Sequence, residues 1–467
     1  MSKRAGLKKG ILIVLMVNII NLIFKLLTNF LMPKFLTVDC YADFKYYQLF
    51  IGYLGIMHFG FVDGVYIKFG GKSIDEISND KLGKSFAALL ILEIAVSIVT
   101  LIVSLIIGDK ILFTVTFAIL PTEVAWFYKY IYQATGEFSK YGRIMNINTI
   151  LVFVFEITLI VLNIQNVYYY IAANTVSLFI IWIILERNGK FKYQRSWFAI
   201  RSVMIECKDN ISSGIFVMLG NFASQFLTSM DRWFIKIFMD SVAFAQYSFA
   251  ASIVVFMNVA VTPFSVTFYN HFCNHRDKKT VSSIQGAIYI FSSIIIALAF
   301  PAKWILEHYI QNYIDASDVL VYLFAAQAFS IIISCIYVNL YKAMKRQRVY
   351  SIKMAIMVGL GFVTNVGFYM ITHTKEAFAV ATLVTTFIWY ILCQLDFKEY
   401  VMPAKSQTFI IAEVIAFLLT GNLLPSVIGF LFYIIITFIM TAILMRSEFK
   451  ECLQLLNIGK IVDRLKS

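Results

Sequence analysis

Residues 85–108 read SFAALLILEIAVSIVTLIVSLIIG, and residues 111–134 continue as ILFTVTFAILPTEVAWFYKYIYQA. Each run is apolar enough and long enough to cross the hydrocarbon core of a membrane, about 30 Å thick, as a helix. Only Asp109 and Lys110 separate the two runs, so the chain turns back into the membrane at once. This stretch predicts helical hairpins in a membrane.

Twelve more runs of the same kind lie along the 467 residues. The sequence therefore predicts an all-α polytopic membrane protein with about fourteen transmembrane helices. Their expected positions are roughly 11–34, 46–69, 85–108, 111–134, 145–163, 166–186, 211–238, 242–268, 284–307, 318–342, 351–372, 376–395, 407–424 and 427–445. The composition, 60% hydrophobic and 14% charged, excludes a soluble chain of this length.

Basic residues collect in every second connection between the predicted spans. On the side of the N-terminus they include Lys3, Arg4, Lys8, Lys9, Lys72, Lys81, Lys84, Lys140, Arg143, Arg187, Lys190, Lys192, Arg195, Arg201, Lys208, Arg276, Lys278, Lys279, Lys342, Lys345, Arg346, Arg348, Lys353, Lys398, Lys405, Arg446, Lys450, Lys460, Arg464 and Lys466. The opposite connections hold only Lys34, Lys45, Lys110 and Lys375. By the positive-inside rule, we expect both termini in the cytoplasm and a multi-pass protein of the inner or plasma membrane. The net charge of +13 then reflects topology, and it does not indicate a nucleic-acid partner.

Signatures of enzymes and cofactors are weak. The six cysteines form no C-x-x-C pair, and only Cys40 is expected outside, so we predict neither disulfides nor a cysteine-ligated metal. His271 and His275 lie beside basic residues at a predicted span end, where solvated side chains are the expected reading. No Walker A sequence is present, which argues against ATP hydrolysis by this chain. We expect no cofactor, no metal and no enzyme activity.

Two faint internal repeats indicate two halves of like topology. Tyr132-x-Ala134 parallels Tyr341-x-Ala343, and Phe44-x-x-Tyr47 parallels Phe244-x-x-Tyr247. Paired halves of this kind commonly enclose a substrate path. The predicted divisions are a six-helix lobe over 1–186, a cytoplasmic amphipathic link over 187–210, a second six-helix lobe over 211–396, helices thirteen and fourteen over 397–445, and a cytoplasmic amphipathic tail over 446–467.

Several short motifs carry a resemblance to a known family. They are LMP at 31–33, YADF at 41–44, GFVDGVY at 60–66, SMDRWFI at 229–235 and AQYSFA at 245–250. With the predicted spans, they resemble the polysaccharide-biosynthesis transporters, which include the O-antigen and capsule oligosaccharide flippases. That family belongs to the multidrug, oligosaccharidyl-lipid and polysaccharide exporter superfamily. The first span has a single Lys25 where peptidoglycan-precursor flippases have an arginine-containing motif, which argues against a peptidoglycan role.

Ionisable residues inside the spans are the chemical signal that stands apart from the resemblance. Each costs roughly 2.5–3.5 kcal/mol at a helix centre, so each should face protein or water. Lys25 in span one and Arg232 in span seven are candidate substrate-binding residues, because corresponding helices of two halves would face a shared cavity. Lys236, Asp63 and Asp231 are further candidates. The alternative is that these cations snorkel to the interface or pair structurally.

Glu123 and Glu156 fall near the midplane on adjacent predicted helices. A desolvated carboxyl there can carry a proton or a cation, so both are candidates for coupling transport to an ion. A pair with Lys129 or a hydroxyl that locks the helices together is the structural alternative. Gly60 and Gly64 form a G-x-x-x-G that favours close helix packing, and a hinge or a role in substrate access is the alternative.

The resemblance implies a flippase for a polyprenyl-diphosphate-linked glycan, such as an O-antigen, capsule or lipopolysaccharide repeat unit, with membrane lipid and polysaccharide-assembly proteins as partners. Cations would offset the charge of the diphosphate, and alternating access would expose the cavity to one leaflet at a time. Two other functions stay open at this point. One is a multidrug or cation extruder of the same superfamily, and the other is a membrane glycosyltransferase or polymerase.

Overall fold

The computed structural model describes residues 2–188, 199–274 and 277–449. Across those ranges the chain is helical, with no β-strand. It divides into two compact units, Met1–Ser229 and Met230–Ser467. The predicted all-α membrane class is confirmed, while the exact bounds of the predicted lobes stay a prediction.

The first unit is built around one central helix. α6 packs against α2, α4, α5, α7 and α8, while α1 lies along α7. The helices of this unit are α1 (Ser2–Phe35), α2 (Val38–Gly52), α3 (Leu54–Met57), α4 (Phe61–Phe69), α5 (Asn79–Ile107), α6 (Lys110–Ala134), α7 (Phe138–Val161) and α8 (Val167–Asn188), followed by α9 (Ile200–Phe238), which continues into the second unit.

The second unit also has a central helix. α13 packs against α10, α11, α12, α16 and α17. The helices are α10 (Ser241–Asn274), α11 (Lys278–Ile296), α12 (Ala299–His308), α13 (Ser317–Ile332), α14 (Val338–Ala343), α15 (Gln347–Thr372), α16 (Glu376–Asp396), α17 (Ala404–Leu423) and α18 (Ser426–Leu444). A π-helical turn, Ile333–Tyr337, joins α13 to α14. α6 and α13–α14 carry the paired tyrosine motifs of the sequence repeat.

Local signals in the sequence set the helix ends. Gly108 takes a left-handed backbone, φ 74°, and ends α5. Asp109 then caps α6, because its carboxylate accepts hydrogen bonds from the backbone N–H groups of Ile111 and Leu112 at 2.9 and 3.0 Å. The two residues between the quoted runs thus form a tight turn.

Among the described residues, fewer than fourteen helices qualify as candidate membrane spans. Eleven described helices are long and apolar enough to cross a membrane, and two bent pairs raise that number to thirteen. The first pair is Val38–Met57 with Phe61–Phe69, and the second is Ser241–Met257 with Val261–Cys273. α1 covers the remaining predicted position, 11–34, but it is not among these candidates. Fourteen spans are therefore not confirmed.

The predicted surface segments are covered only in part. In the link, Ile200 already begins α9, so residues 200–210 continue the span-seven helix, whereas 189–198 lie outside the described residues. The tail from residue 450 onward also lies outside them. Cys40, expected on the outer side, is buried at 6% exposure, because Thr37 caps the first turn of α2 and that turn packs inward.

α12 secures the last hairpin of the second unit through two charges. The buried Lys303 ammonium donates hydrogen bonds to the carbonyls of Gly421 and Leu424, at 2.6 and 3.1 Å, where α17 ends. One turn further, the Glu307 carboxylate accepts hydrogen bonds from the backbone N–H and the hydroxyl of Ser426, where α18 begins. Each charge has the sign that its helix end favours.

The orientation can be checked with single-cysteine variants. Cys273 is exposed at the end of α10, on the side predicted to be cytoplasmic, and Asn312 is exposed in the turn between α12 and α13, on the side predicted to be outside. In intact cells, an impermeant maleimide should label an Asn312→Cys variant and leave Cys273 unlabelled. Cys273 should react after permeabilisation. Labelling of Cys273 in intact cells would reverse the orientation.

Candidate functional site

The second predicted span is broken in the middle. The axis bends by 56° between Val38–Met57 and Phe61–Phe69. Phe59 and Gly60 both take left-handed backbone conformations, with φ of 51° and 83°, which ends one helix and starts the next. The backbone N–H of Gly60 donates to His58 Nδ1 at 3.0 Å, so a side chain satisfies a group that the broken helix leaves free.

Glycines allow α9 to lie directly against this break. A Cβ on Gly64 would stand 1.9 Å from the carbonyl oxygen of Asn210, and one on Gly214 would stand 2.0 Å from the carbonyl oxygen of Gly60. Backbone therefore meets backbone, as the G-x-x-x-G pattern predicted. The close packing of Gly60 and Gly64 is confirmed.

The break opens a cavity of about 330 Å³ within the first unit. Its walls combine four aromatic rings with amide, imidazole and carboxyl groups. The lining residues are Gly52, Tyr53, Gly55, Ile56, His58, Asp63, Trp126, Tyr130, Asn221, Phe222 and Gln225. Broken helices that line a cavity are a recurrent site for polar substrates in transporters.

Asp63, a predicted site residue, lies in this wall. It is buried, and its Oδ2 is 3.9 Å from Nε2 of His58. Because Nδ1 of His58 already accepts from Gly60, a neutral ring carries its proton on Nε2, which is the nitrogen nearer Asp63. The gap is too long for a direct hydrogen bond, so both groups are available to a third polar group that lies beside them.

Two buried carboxyl groups lie behind the cavity. Glu93 on α5 and Glu123 on α6 are each 0% exposed, and neither carboxyl has a hydrogen-bond partner among the described residues. The charges of Glu93 and Asp63 both act on Glu123, so these acids are close neighbours. A buried, unpaired carboxylate is unfavourable, so these groups favour a proton. Within the described ranges, no three His, Cys, Asp or Glu side chains are placed to hold a metal ion.

Glu156, the other coupling candidate, has a different environment. It is also buried, but its Oε1 accepts a hydrogen bond from the amide of Asn174 at 3.0 Å. This bond links α7 to α8. The structural alternative considered for Glu156 is therefore present as a helix-to-helix bond, made by an amide and not by Lys129.

Lys25 and Lys129 form the cationic part of the first unit. Lys25 on α1 is exposed and Lys129 on α6 is half-buried, and the charge of Lys25 reaches Lys129. Among the described residues, neither ammonium has a carboxylate partner; Lys129 contacts the ring of Tyr130 at 5.6 Å, and Tyr130 lines the cavity. Lys68 provides a contrast, because it pairs with Glu206 at 2.8 Å.

The remaining predicted residues belong to the second unit. Asp231 accepts hydrogen bonds from the hydroxyl of Tyr247 and from the backbone N–H of Arg232, which ties α9 to α10. Arg232 is half-buried and Lys236 lies 5.5 Å from the ring of Phe244. Because Lys25 lies in the first unit, a cavity shared by Lys25 and Arg232 stays a prediction.

Comparison with known proteins identifies the family. The family model described as "Polysaccharide biosynthesis protein" matches residues 7–269, more than half of the chain. The chain belongs to this family. No curated protein matches it.

Solved structures agree on the fold. The lipid II flippase MurJ in an inward closed conformation superposes with a TM-score of 0.62 at 15% identity, covering 94% of this chain and 99% of that one. A MATE transporter in the straight conformation gives a TM-score of 0.45 at 14% identity, covering 88% and 96%. The superposition on MurJ shows that this member of the polysaccharide biosynthesis family shares the fold of that protein.

Sequence reasoning missed most of the cavity wall. Tyr53, Trp126, Phe222 and Gln225 are uncharged, and nothing in their spacing separates them from the other aromatic and polar residues of the spans. The usable signal was Gly60, since a glycine in mid-span marks either close packing or a break. Here Gly60 takes part in both the close packing against α9 and the break in the helix, and the cavity lies at that break.

Replacing Gly214 tests the backbone contact that supports the cavity. Gly214→Ala should destabilise the protein by about 1–3 kcal/mol, because the new methyl would overlap the backbone of α4. Gly220→Ala is the matched control in the same helix, since a Cβ there meets nothing within 4 Å. Thermal unfolding in detergent should show a lower midpoint for the first variant alone. Equal midpoints would mean that α9 does not lie against the break.

Proposed function

We propose that this protein is a flippase that moves a polyprenyl-diphosphate-linked oligosaccharide, of the O-antigen, capsule or related class, from the cytoplasmic to the outer leaflet. Family membership supports transport in polysaccharide synthesis. The observation that carries the proposal is the cavity at the broken span, lined by aromatic rings and hydrogen-bonding side chains. Alternating access would open this cavity to one leaflet at a time.

The cavity wall suits a sugar. The C–H faces of a pyranose pack on aromatic rings, and Tyr53, Trp126 and Phe222 supply such surfaces. Sugar hydroxyls need donors and acceptors in fixed positions, which Gln225 and Asp63 provide. A cavity of this size holds part of an oligosaccharide, so the remainder would extend beyond it.

The diphosphate would be met by Lys25 and Lys129. Two neighbouring ammonium groups without a carboxylate partner repel each other, and an anion placed between them removes that repulsion. Lys129 stands beside Tyr130, so the phosphate and sugar subsites would be contiguous. Arg232 and Lys236 remain candidates for substrate contacts from the second unit. Asp231 is a further candidate, although its carboxylate already accepts a hydrogen bond from Tyr247.

The same cations argue against the multidrug extruder. A cationic drug would meet two like charges next to the cavity, whereas an anionic lipid diphosphate would neutralise them. A membrane glycosyltransferase or polymerase is the other alternative, and it would reveal itself by turnover of a glycan by the purified protein.

We propose that Glu123, with Glu93 beside it, carries the coupling proton. Glu156 is the weaker candidate, because an amide already holds it. An inside-negative potential also favours the outward movement of negative charge, by roughly 2.3 kcal/mol per charge per 100 mV. Protonation and membrane potential can therefore act together.

Deletion and complementation test the transport function. Cells without the protein should accumulate lipid-linked glycan in the cytoplasmic leaflet, and chemical analysis of that lipid identifies the substrate. Trp126→Ala, Lys25→Ala and Lys129→Ala should each lower glycan export per folded transporter by about five- to thirtyfold, since each removes a substrate contact worth about 1–2 kcal/mol.

Two substitutions of the same kind serve as controls. Trp304→Ala changes a partly exposed tryptophan of α12, and Lys110→Ala changes an exposed lysine at the start of α6; both residues lie outside the cavity wall and should retain export. Normal lipid-linked glycan in the deletion strain would reject the flippase. If all three variants at the proposed site export glycan normally, the flippase function still stands, but the proposed binding site is rejected.

The coupling proposal is tested in proteoliposomes with an imposed pH gradient. Glu123→Gln imitates the protonated acid, so transport should lose its dependence on the gradient. Glu156→Gln replaces one buried carboxyl by an amide in the same way and should keep that dependence. If the gradient accelerates both variants as it does the natural protein, Glu123 is not the proton carrier.

A further inference from the structure

A second cavity, of about 230 Å³, lies in the first unit, away from the broken span. It shares no lining residue with the cavity described above. Its walls come from the last two turns of α6 and α8 and the first turns of α5 and α7. Since these helices alternate in direction, all four segments lie at the same end of the unit, the end predicted to face the cytoplasm.

The interior of this second cavity is apolar. Nine of its fourteen lining residues are isoleucine or leucine. Asn79, Tyr128 and Tyr132 are the uncharged polar members of the wall, so this mainly apolar cavity offers water few hydrogen bonds and takes up hydrocarbon more readily. Ile147 and Ile184 are only partly buried in its wall, and the aliphatic chains of the bilayer are the nearest source of such hydrocarbon.

The rim is cationic. Lys140 and Arg143 both line the cavity and both are exposed. Lys140 is paired with Glu137 at 3.2 Å, so its charge is partly offset. Arg143 has no carboxylate partner among the described residues, and its planar guanidinium can bind two oxygens of one phosphate.

We propose that this cavity binds an anionic phospholipid of the cytoplasmic leaflet, with an acyl chain between α5, α6, α7 and α8 and the phosphate on Arg143. Charge complementarity selects this occupant: an apolar chain alone would need no cation, and a soluble phosphate would need no apolar cavity. Anionic lipids concentrate in the leaflet that basic segments face. The bound lipid would join four helix ends, and this role does not depend on the substrate that the protein transports.

Lipid titration of the purified full-length protein tests this proposal. Native mass spectrometry would count bound phosphatidylglycerol and phosphatidylethanolamine with identical acyl chains. The natural protein should bind its first phosphatidylglycerol more tightly than phosphatidylethanolamine. Arg143→Gln should lower that affinity about fivefold, or about 1 kcal/mol, and leave phosphatidylethanolamine unaffected. Ile147→Trp, which fills the cavity, should weaken both.

Arg348→Gln is the matched control, because it removes an exposed arginine from the same predicted side, in the second unit. Arg143→Lys keeps the charge and should keep most of the affinity, which separates a charge effect from misfolding. Equal losses in Arg143→Gln and Arg348→Gln would overturn the proposal, as would equal affinity for the two lipids. If undecaprenyl diphosphate displaces phosphatidylglycerol one for one, the cavity binds the lipid part of the transported substrate, and the proposal of a bound phospholipid is overturned.

Discussion

Hydrocarbon offers no hydrogen bonds to a peptide backbone, and the structure depends on this constraint. Nearly every described residue within the spans is helical, so the backbone satisfies itself. A helix can break at membrane depth only where protein supplies the missing partners. His58 does so for Gly60, and the bare backbones of Gly60, Gly64 and Gly214 exclude lipid from the break. The cavity therefore results from the way in which the protein shields the break in this helix from lipid.

Charge inside the membrane follows the same logic, with two different outcomes. The charges of Lys303 and Glu307 are stabilised by hydrogen bonds, since one helix end provides carbonyls to Lys303 and another provides an N–H group to Glu307. Among the described residues, no such hydrogen bonds to helix ends are present for Lys25, Lys129, Glu93 and Glu123. An unpaired charge in a low-dielectric region is unfavourable. We therefore expect such a charge where a ligand or a proton neutralises it. That contrast separates charges held by helix ends, such as Lys303 and Glu307, from the candidate functional charges near the cavity of the first unit.

The sequence was sufficient for the features that repeat over many residues. Apolar runs such as 85–108 predicted the helical class, Asp109 and Lys110 between two runs predicted a turn, and the motif at 60–66 pointed to the family. Single charged residues were also visible: Asp63 lies in the cavity wall, while Glu123 is buried and is not part of that wall. The cavity wall was not predictable, because Trp126 and Gln225 line the same cavity although they lie 99 positions apart in the sequence, with no regular pattern between them. The two bends within predicted spans were not predictable either, since hydropathy does not register the direction of a helix.

The bonds of Lys303 have a consequence for how the protein is made. A ribosome completes α12 long before the residues that hold it, since Gly421 follows Lys303 by 118 positions. During that interval the ammonium has no acceptor and must remain hydrated at the bilayer surface or in the insertion channel. Synthesis of the final hairpin thus completes the integration of an earlier helix. A nascent chain arrested before α17 would lack both carbonyl acceptors of Lys303, so α12 could not make the contacts that hold its charge in the finished protein.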